Sequence, residues 1–182
     1  MIELVVDSIR VNTQNYQRVL ILKEKNAERS LPIWIGQAEA DAIAIKIQGI
    51  AKSRPLSHDL MYSIISALTA NLDYVLLNDI KGETFYAKIL LNSGGKAVEI
   101  DCRPSDAIAL AVRAGVPIYA EEAVLNQSGM ILDQETGKPA LPTESKEGVN
   151  EKKVSEDELK RLSAFRDFID KADLDDLGKN KS

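Results

Sequence analysis

The chain has 182 residues, 45% of them hydrophobic, which suits one domain with an appendage and a core that needs no disulfide support. Its one cysteine and one histidine exclude an intramolecular disulfide and a zinc site built from His and Cys ligands of a single chain. The net charge of −5 argues against a protein that coats nucleic acid by bulk charge, and it leaves open a hard cation held by carboxylates.

The first residues show no sign of export. Residues 1–7 carry acidic side chains where a signal peptide needs basic ones, and no small-residue cleavage site follows. The longest uncharged stretch, residues 60–72, is shorter than the roughly 20 residues of a membrane-spanning helix. We therefore expect a soluble, cytoplasmic protein.

The first quarter of the chain carries strand signals followed by a helix signal. Segments rich in β-branched and apolar residues predict three strands, at residues 2–11, 18–22 and 31–35. Pro32 favours an edge position or a strand start for the third of them. Apolar residues at spacings of three and four then predict a helix at residues 38–49.

A second helix is predicted after Leu56. Ser57 is its expected N-cap, and Asp59 lies in the first turn, where the helix dipole favours an acid. Six apolar residues at helical spacing predict a broad buried face: Leu60, Met61, Ile64, Ile65, Leu68 and Leu72.

The rest of the body repeats strands, a helix and a strand. Three strands separated by glycine-containing turns predict an antiparallel meander: residues 74–80, 85–91 and 97–102. A third helix, capped by Ser105 and ended by Gly115, precedes a final strand at residues 116–120. This order predicts an α+β fold with a mixed, largely antiparallel sheet, three helices packed on it and a C-terminal amphipathic helix.

Composition divides the chain into a body, a linker and a tail. Proline, glycine and charged residues without a period follow the body. We assign residues 1–136 to one domain, residues 137–153 to the linker and residues 154–178 to a helical extension. The extension carries an apolar stripe that needs a partner, either the body of the same chain or a second subunit: Leu159, Leu162, Phe165 and Ile169.

Residues 54–59, Arg-Pro-Leu-Ser-His-Asp, are the first group that could carry chemistry. Exposed amides and the positive dipole at the helix start would favour an anion such as phosphate. His58 could shuttle protons near neutral pH. The alternative is structural: Ser57 and Asp59 only cap the helix, and His58 lies on the surface.

Residues 101–106, Asp-Cys-Arg-Pro-Ser-Asp, repeat this layout. Asp101 and Asp106 flank Arg103, so they could hold a divalent cation while the guanidinium binds phosphate. In the structural alternative, Arg103 pairs with one of the two aspartates and stabilises the turn. A third carboxylate could come from Glu39 or Asp41 at the start of the first helix. Residues two positions apart do not share a helix face, so at most one of them points at the site, and we prefer Glu39.

Four segments occur in a recognisable order: residues 31–40, 54–60, 85–89 and 100–111, the last followed by Val116-Pro-Ile118. Together they resemble the bifunctional nuclease domain family, over roughly residues 1–134. The resemblance implies an α+β fold and a homo-oligomer, with a dimer favoured. It also implies metal-dependent cleavage of DNA and RNA, with Mg²⁺ or Mn²⁺ as the cofactor.

The roles of the motif residues are hypotheses about this chain. The catalytic and phosphate-binding set is His58, Asp59, Arg54 and Arg103, with His58 or Asp59 as base. Ser57 and Ser105 are assigned to substrate binding, and the metal ligands are Asp101, Asp106 and Glu39. The alternative function is a non-catalytic, oligomeric binding or regulatory module with an anion or metabolite pocket, which the negative net charge favours.

Overall fold

The computed structural model describes residues 1–11 and 16–131. Its elements are, in chain order, β1 (Ile2–Val11), β2 (Arg18–Glu24), β3 (Arg29–Ile35), α1 (Gln37–Ile47), α2 (Ser57–Ala67), β4 (Ala70–Lys81), β5 (Thr84–Ser93), β6 (Lys96–Cys102), α3 (Pro104–Ala114), β7 (Ile118–Ala120), α4 (Glu122–Ser128) and β8 (Met130–Ile131). The predicted linker and C-terminal helix lie outside the described residues.

The described strands form one sheet in the order β6-β5-β4-β7-β1-β2-β3-β8. Every neighbouring pair is antiparallel except β4 and β7, which run parallel because α3 connects the meander to β7. The predicted α+β class with a mixed, largely antiparallel sheet is therefore confirmed. Pro32 lies in β3 opposite Ile21 of β2 and is tolerated because β8 pairs only with Arg29 and Ser30.

The described residues form four helices, one more than predicted for the body, because α4 was missed. The short strand β8 was missed as well. Both elements are too short to show a period, and their residues follow β7 directly. Val124 and Leu125 of α4 are buried, so this short helix is held by packing rather than by a strong local signal.

The core lies under α3, the most deeply buried helix of the described chain. Seven of its eleven residues are buried, among them the fully buried Ile108 and Leu110. Three small residues, Ala107, Ala109 and Ala111, let α3 approach its neighbours closely, and it contacts α1, α2, β4 and β5. Gly115 ends the helix as predicted, in the left-handed conformation with φ of 70°.

The predicted N-caps of the second and third helices are wrong by one and two residues. Leu56 and Arg103 occupy the N-cap positions of α2 and α3, so Ser57 and Ser105 lie inside the first turn. In α3 the proline takes the first helical position, which suits its fixed φ and moves the cap to Arg103. In α2 the capping acceptor is Asp59, whose Oδ2 receives the Leu56 amide at 2.8 Å.

The predicted buried face of α2 is also wrong for most of its members. Leu60, Ile64 and Leu68 are 57%, 48% and 68% exposed, and Met61 is 39% exposed. Ile65 packs against the core as a partly buried residue, and Leu72, which lies in β4, is buried. Apolar periodicity indicates which side of a helix avoids water, but it does not identify what covers that side.

None of the helices in the described ranges has both the length and the apolar character that a membrane span requires.

Candidate active site

The first turns of α1, α2 and α3 converge on one group of side chains. Glu39 comes from α1, His58 from α2, and Arg103 and Asp106 from the start of α3. His58 Nε2 lies 3.1 Å from Asp106 Oδ1, and Arg103 Nη2 lies 3.0 Å from Glu39 Oε1. We call these four residues the polar cluster. Carboxylates are stabilised there because three helix dipoles point their positive ends at the same place.

Arg103 links the acids of the polar cluster. Its Nε donates to Asp106 Oδ2 at 2.7 Å and its Nη2 to Asp106 Oδ1 at 3.0 Å, a bidentate pair. The arginine side chain is 66% exposed, whereas those of Glu39 and Asp106 are 18% and 20% exposed. These contacts use Nε and Nη2, so the donors of Nη1 can bind an anion on the solvent side.

His58 is the most enclosed member of the polar cluster, with a side chain 9% exposed. Partial burial raises the pKa of Asp106, but the hydrogen bonds from Arg103 and His58 outweigh it and hold that pKa below its ordinary value. An ionised Asp106 only accepts hydrogen bonds, so the contact requires a proton on His58 Nε2. The neutral ring then presents Nδ1 as an acceptor, as in other carboxylate–histidine pairs.

The remaining predicted residues do not join the polar cluster. Asp101 lies on the exposed edge strand β6, opposite Lys88, whose ammonium group pairs with Glu99 at 2.6 Å. Ser57 is exposed at the start of α2, and Ser105 is buried at the start of α3. Neither serine caps its helix.

The predicted metal ligands do not form a ready metal centre. Within residues 1–11 and 16–131, no three His, Cys, Asp or Glu side chains are grouped to hold an ion. In the polar cluster, the Arg103 guanidinium already bridges the carboxylates of Glu39 and Asp106. These residues therefore do not fit a bound divalent cation unless Arg103 moves away.

Arg54 and Asp59 instead line a separate cleft of about 400 Å³ beside the polar cluster. We call it the basic cleft, and its walls are Ile45, Lys46, Gly49, Ile50, Lys52, Ser53, Arg54, Pro55, Asp59 and Arg113. Because His58 and Asp59 are consecutive in α2, the first turn of this helix separates the two sites.

Arg113 lines the basic cleft and links the three helices around it through hydrogen bonds. Its side chain is 3% exposed, and its Nε donates to Asp59 Oδ1 at 2.6 Å. Its Nη1 and Nη2 donate to the carbonyls of Ala109 and Ala42, at 2.9 and 3.2 Å. One side chain therefore connects α1, α2 and α3 through hydrogen bonds.

Asp59 is a weaker candidate for the base than His58. The hydrogen bond from the Leu56 amide is the largest cause that lowers its pKa, and the hydrogen bond from Arg113 adds to it. Both carboxylate oxygens are engaged, one by the backbone and one by the guanidinium. A carboxylate held in this way accepts a proton poorly at neutral pH.

Three residues of the basic cleft were not predicted from the sequence: Lys46, Lys52 and Arg113. Lys46 and Arg113 lie in the last turns of α1 and α3, where a cation is expected for the helix dipole alone. Spacing carried a signal, because each lies seven residues after a polar-cluster acid, on the same face two turns along.

Cys102 offers no nucleophile beside the polar cluster. Burial is the main cause that raises the pKa of its thiol, to about 12, and the neighbouring Asp106 and Asp101 carboxylates raise it further. Its Sγ donates to the Ala87 carbonyl at 3.6 Å. A thiol in this environment stays protonated and unreactive.

Comparison with known proteins places these observations in a family context. The family model of the bifunctional nuclease domain matches residues 20–133 of the chain. An uncharacterized protein of Mycobacterium tuberculosis strain H37Rv is 42% identical over 175 residues, which cover 96% of this chain and 97% of that protein. Bifunctional nuclease 1 of Arabidopsis thaliana is 24% identical over 134 residues, 72% of this chain and 41% of the plant protein. Bifunctional nuclease 2 of Oryza sativa subsp. japonica is 26% identical over 118 residues, 63% of this chain and 36% of that protein.

Proposed function

Because the chain belongs to the bifunctional nuclease domain family, we propose that it is a nuclease that hydrolyses phosphodiester bonds of DNA and RNA. The observation that supports this most is the polar cluster, in which Glu39, His58, Arg103 and Asp106 come together from three helix starts. A cation exposed to solvent beside a carboxylate–histidine pair suits phosphoryl chemistry.

In the proposed reaction, the exposed guanidinium of Arg103 binds the scissile phosphate and offsets the charge that develops on its oxygens. His58 Nδ1 accepts a proton from the attacking water, while Asp106 holds the Nε2 proton and balances the imidazolium. The water oxygen bonds to phosphorus, the bond to the leaving ester oxygen breaks, and that oxygen takes a proton from solvent.

Metal dependence stays part of the proposal as a prediction. Mg²⁺ or Mn²⁺ between Glu39 and Asp106 would have to displace Arg103 from both carboxylates, and Asp101 would have to approach from β6. We therefore derive no step through a metal. A requirement for the cation would be measured as loss of cleavage in EDTA and recovery on adding Mg²⁺ or Mn²⁺.

A second function is favoured by a different observation. Both carboxylate oxygens of Asp106 accept hydrogen bonds from Arg103 or His58, and the His58 side chain is nearly buried. The same contacts would be expected if these residues only stabilised the packing of the helix starts and had no catalytic role. In that case the chain is a binding or regulatory module, and the basic cleft is its anion or metabolite pocket. The two functions differ in whether the polar cluster is needed for turnover.

Cleavage by the purified full-length chain tests the choice. Single- and double-stranded DNA and RNA are incubated with Mg²⁺, Mn²⁺ or EDTA. We expect Arg103→Gln to lower kcat roughly 100-fold, since it removes one charged donor from the transition state. We expect His58→Asn to lower kcat by about 100-fold or more, since it removes the base.

The control for both variants is Lys81→Ala. Lys81 lies at the β4–β5 turn with a side chain 70% exposed, and its contacts in the described residues are with the neighbouring Asp79 and Tyr86. Wild-type cleavage with undiminished activity in Arg103→Gln and His58→Asn would contradict the assignment to the polar cluster. Binding without cleavage under every condition would favour the second function.

Two further features stay predictions. We propose that the chain acts in the cytoplasm and that it assembles into a homo-oligomer, as the family resemblance implies. Fractionation of cells that express the chain would test the first, and light scattering coupled to size exclusion would test the second.

A further inference from the structure

The basic cleft carries a local charge opposite to that of the whole chain. Lys46, Lys52 and Arg54 are exposed on its walls, and its one carboxylate, Asp59, is paired with Arg113. Among the described residues, none of these three cations forms an ion pair, although Lys46 is near enough to Asp59 to help lower its pKa. The cleft is therefore locally positive in a protein whose net charge is −5. A concave surface lined by one sign of charge concentrates ions of the other sign.

In the described residues, these three cations lack the close acidic partner that several other lysines have. Lys96 at the start of β6 is exposed without such a partner too, but it does not line the cleft. Lys25, Lys81 and Lys88 pair with acids at 2.7, 2.9 and 2.6 Å. Across the described part of the chain, no carboxylate lies within 4.0 Å of the cationic groups of Lys46, Lys52 or Arg54. Their charge is therefore available to a ligand.

Local sequence shapes the basic cleft. Gly49 adopts φ of +66°, and its amide donates to the Lys46 carbonyl at 3.1 Å while Ile50 donates to Ile45 at 3.0 Å, which ends α1 and reverses the chain. Pro55 then holds an extended approach to α2. The turn brings residues 50–55 to face the last turn of α1, with the cleft between them.

The distance from the basic cleft to the polar cluster follows from two helices. Lys46 lies seven residues after Glu39 in α1, and Arg113 lies seven residues after Asp106 in α3. At 1.5 Å per residue, both helices put the cleft roughly 10 Å from the cluster. Consecutive phosphates of one strand lie farther apart than the axial rise of about 3.4 Å per nucleotide, so this distance spans no more than about two nucleotides.

We propose that the basic cleft binds the phosphodiester backbone of a nucleic-acid strand, within about two nucleotides of a scissile phosphate held at Arg103. The proposal deepens the proposed nuclease function and rests on it. None of the residues that line the cleft is aromatic, so no base stacks there and binding is independent of sequence. The contacts are made to phosphates by Lys46, Lys52 and Arg54.

The test measures binding separately from cleavage. Fluorescence anisotropy of labelled oligodeoxythymidine and oligodeoxyadenosine is recorded in EDTA with the full-length chain, over a series of salt concentrations. The test variant is Lys46→Gln with Lys52→Gln, which keeps most of each side-chain stem. The matched control is Lys25→Gln with Lys81→Gln, two exposed lysines outside both sites.

We expect the test variant to bind both oligonucleotides roughly tenfold more weakly at low salt, and the control to bind as the wild type does. The slope of log K against log salt concentration becomes less steep by about 0.7 for each phosphate contact removed, so by about 1.4 for the pair. An unchanged slope and Kd in the test variant would overturn the proposal. Pyrophosphate is the comparison probe for small anions. If the test variant lost pyrophosphate binding but kept oligonucleotide binding, that result would also overturn the proposal, because it indicates a pocket for small anions.

Failure of this proposal and failure of the nuclease function give different results. If Arg103→Gln abolishes cleavage while the double-lysine variant keeps wild-type KM and Kd, the cleft assignment is wrong and the nuclease function stands. If the wild type binds strands through these lysines but cleaves none with any metal, the nuclease function is wrong and the cleft assignment stands.

Discussion

At the scale of single residues, Asp106 connects the electrostatics of the site to its chemistry. Arg103 approaches it from solvent and His58 from the interior, so one carboxylate orients both groups that the proposed reaction uses. Such an arrangement is sensitive to geometry as well as to charge, because a guanidinium matches a carboxylate with two parallel hydrogen bonds and an ammonium group does not.

Arg103→Lys tests this geometry. Lysine keeps the positive charge but cannot hold Asp106 in a bidentate pair while it also reaches Glu39. We expect kcat to fall about tenfold or more with KM less affected, measured by steady-state cleavage of a labelled oligonucleotide. Wild-type kcat in Arg103→Lys would mean that charge alone is required at this position.

Asp106 also makes a testable contribution to acid stability. Its pKa is lower in the folded chain than in the unfolded one, so its contribution is present above the ordinary aspartate pKa of about 4 and is lost as the pH falls through the folded value. We expect Asp106→Asn to be less stable than wild type at neutral pH and to lose less stability below about pH 4.

Urea denaturation at several pH values measures this difference. Glu83→Gln, an exposed change in the β4–β5 turn, is the control and should follow the wild-type curve. Parallel pH curves for wild type and Asp106→Asn would contradict the role of Arg103 and His58 in stabilising the ionised carboxylate.

At the scale of elements, the start of α2 organises the region between the two sites. Asp59 accepts the Leu56 amide, which caps α2, and it also pairs with the buried guanidinium that joins α1, α2 and α3. A helix N-terminus that carries both tasks should be costly to alter, because one substitution removes a cap and leaves a buried cation without its acid.

Asp59→Ala should therefore destabilise the chain by about 2 kcal/mol, a value that allows for the partial exposure of the carboxylate. Ser57→Ala is the matched control, and we expect a change within about 0.5 kcal/mol because Ser57 is exposed and caps nothing. Urea denaturation at neutral pH would measure both changes. An equal loss in the two variants would restore Ser57 as the cap.

At the scale of the whole molecule, the exposed side of α2 is an apolar surface that no other described element covers. Leu60, Ile64 and Leu68 recur every four residues on one face and are each about half exposed or more. No charged residue lies between positions 60 and 68, so this segment itself would bring no charge into a contact between two copies. We propose that a second copy of the chain covers it.

Ile64→Glu with Leu68→Glu tests the assembly. We expect the wild type to be a dimer and the variant a monomer, measured by light scattering coupled to size exclusion on the full-length chain, because a carboxylate in an apolar interface is costly. The control is Tyr16→Glu, at a residue 72% exposed between β1 and β2. A monomeric wild type, or a variant that still dimerises, would contradict a self-association surface on α2.

The sequence by itself determined the α+β class, the positions of most strands and helices, and four side chains that the structure brings together: Glu39, His58, Arg103 and Asp106. These features depend on residues close together in the sequence, such as the local periodicity, Gly115 at the end of α3 and the two Arg-Pro segments. Such signals predict local structure. The sequence could also suggest that Arg103 pairs with a nearby aspartate, because the two residues are three positions apart.

Only the tertiary structure decided how these residues divide between two sites. His58 meets Asp106 across 48 positions and Asp59 meets Arg113 across 54, and no local pattern encodes contacts over such separations. It also separated Asp101 from Asp106, because β6 leaves the core at the sheet edge while α3 turns into it. The exposed side of α2 has the same origin: the sequence made that face apolar, but burial depends on which other surface packs against it.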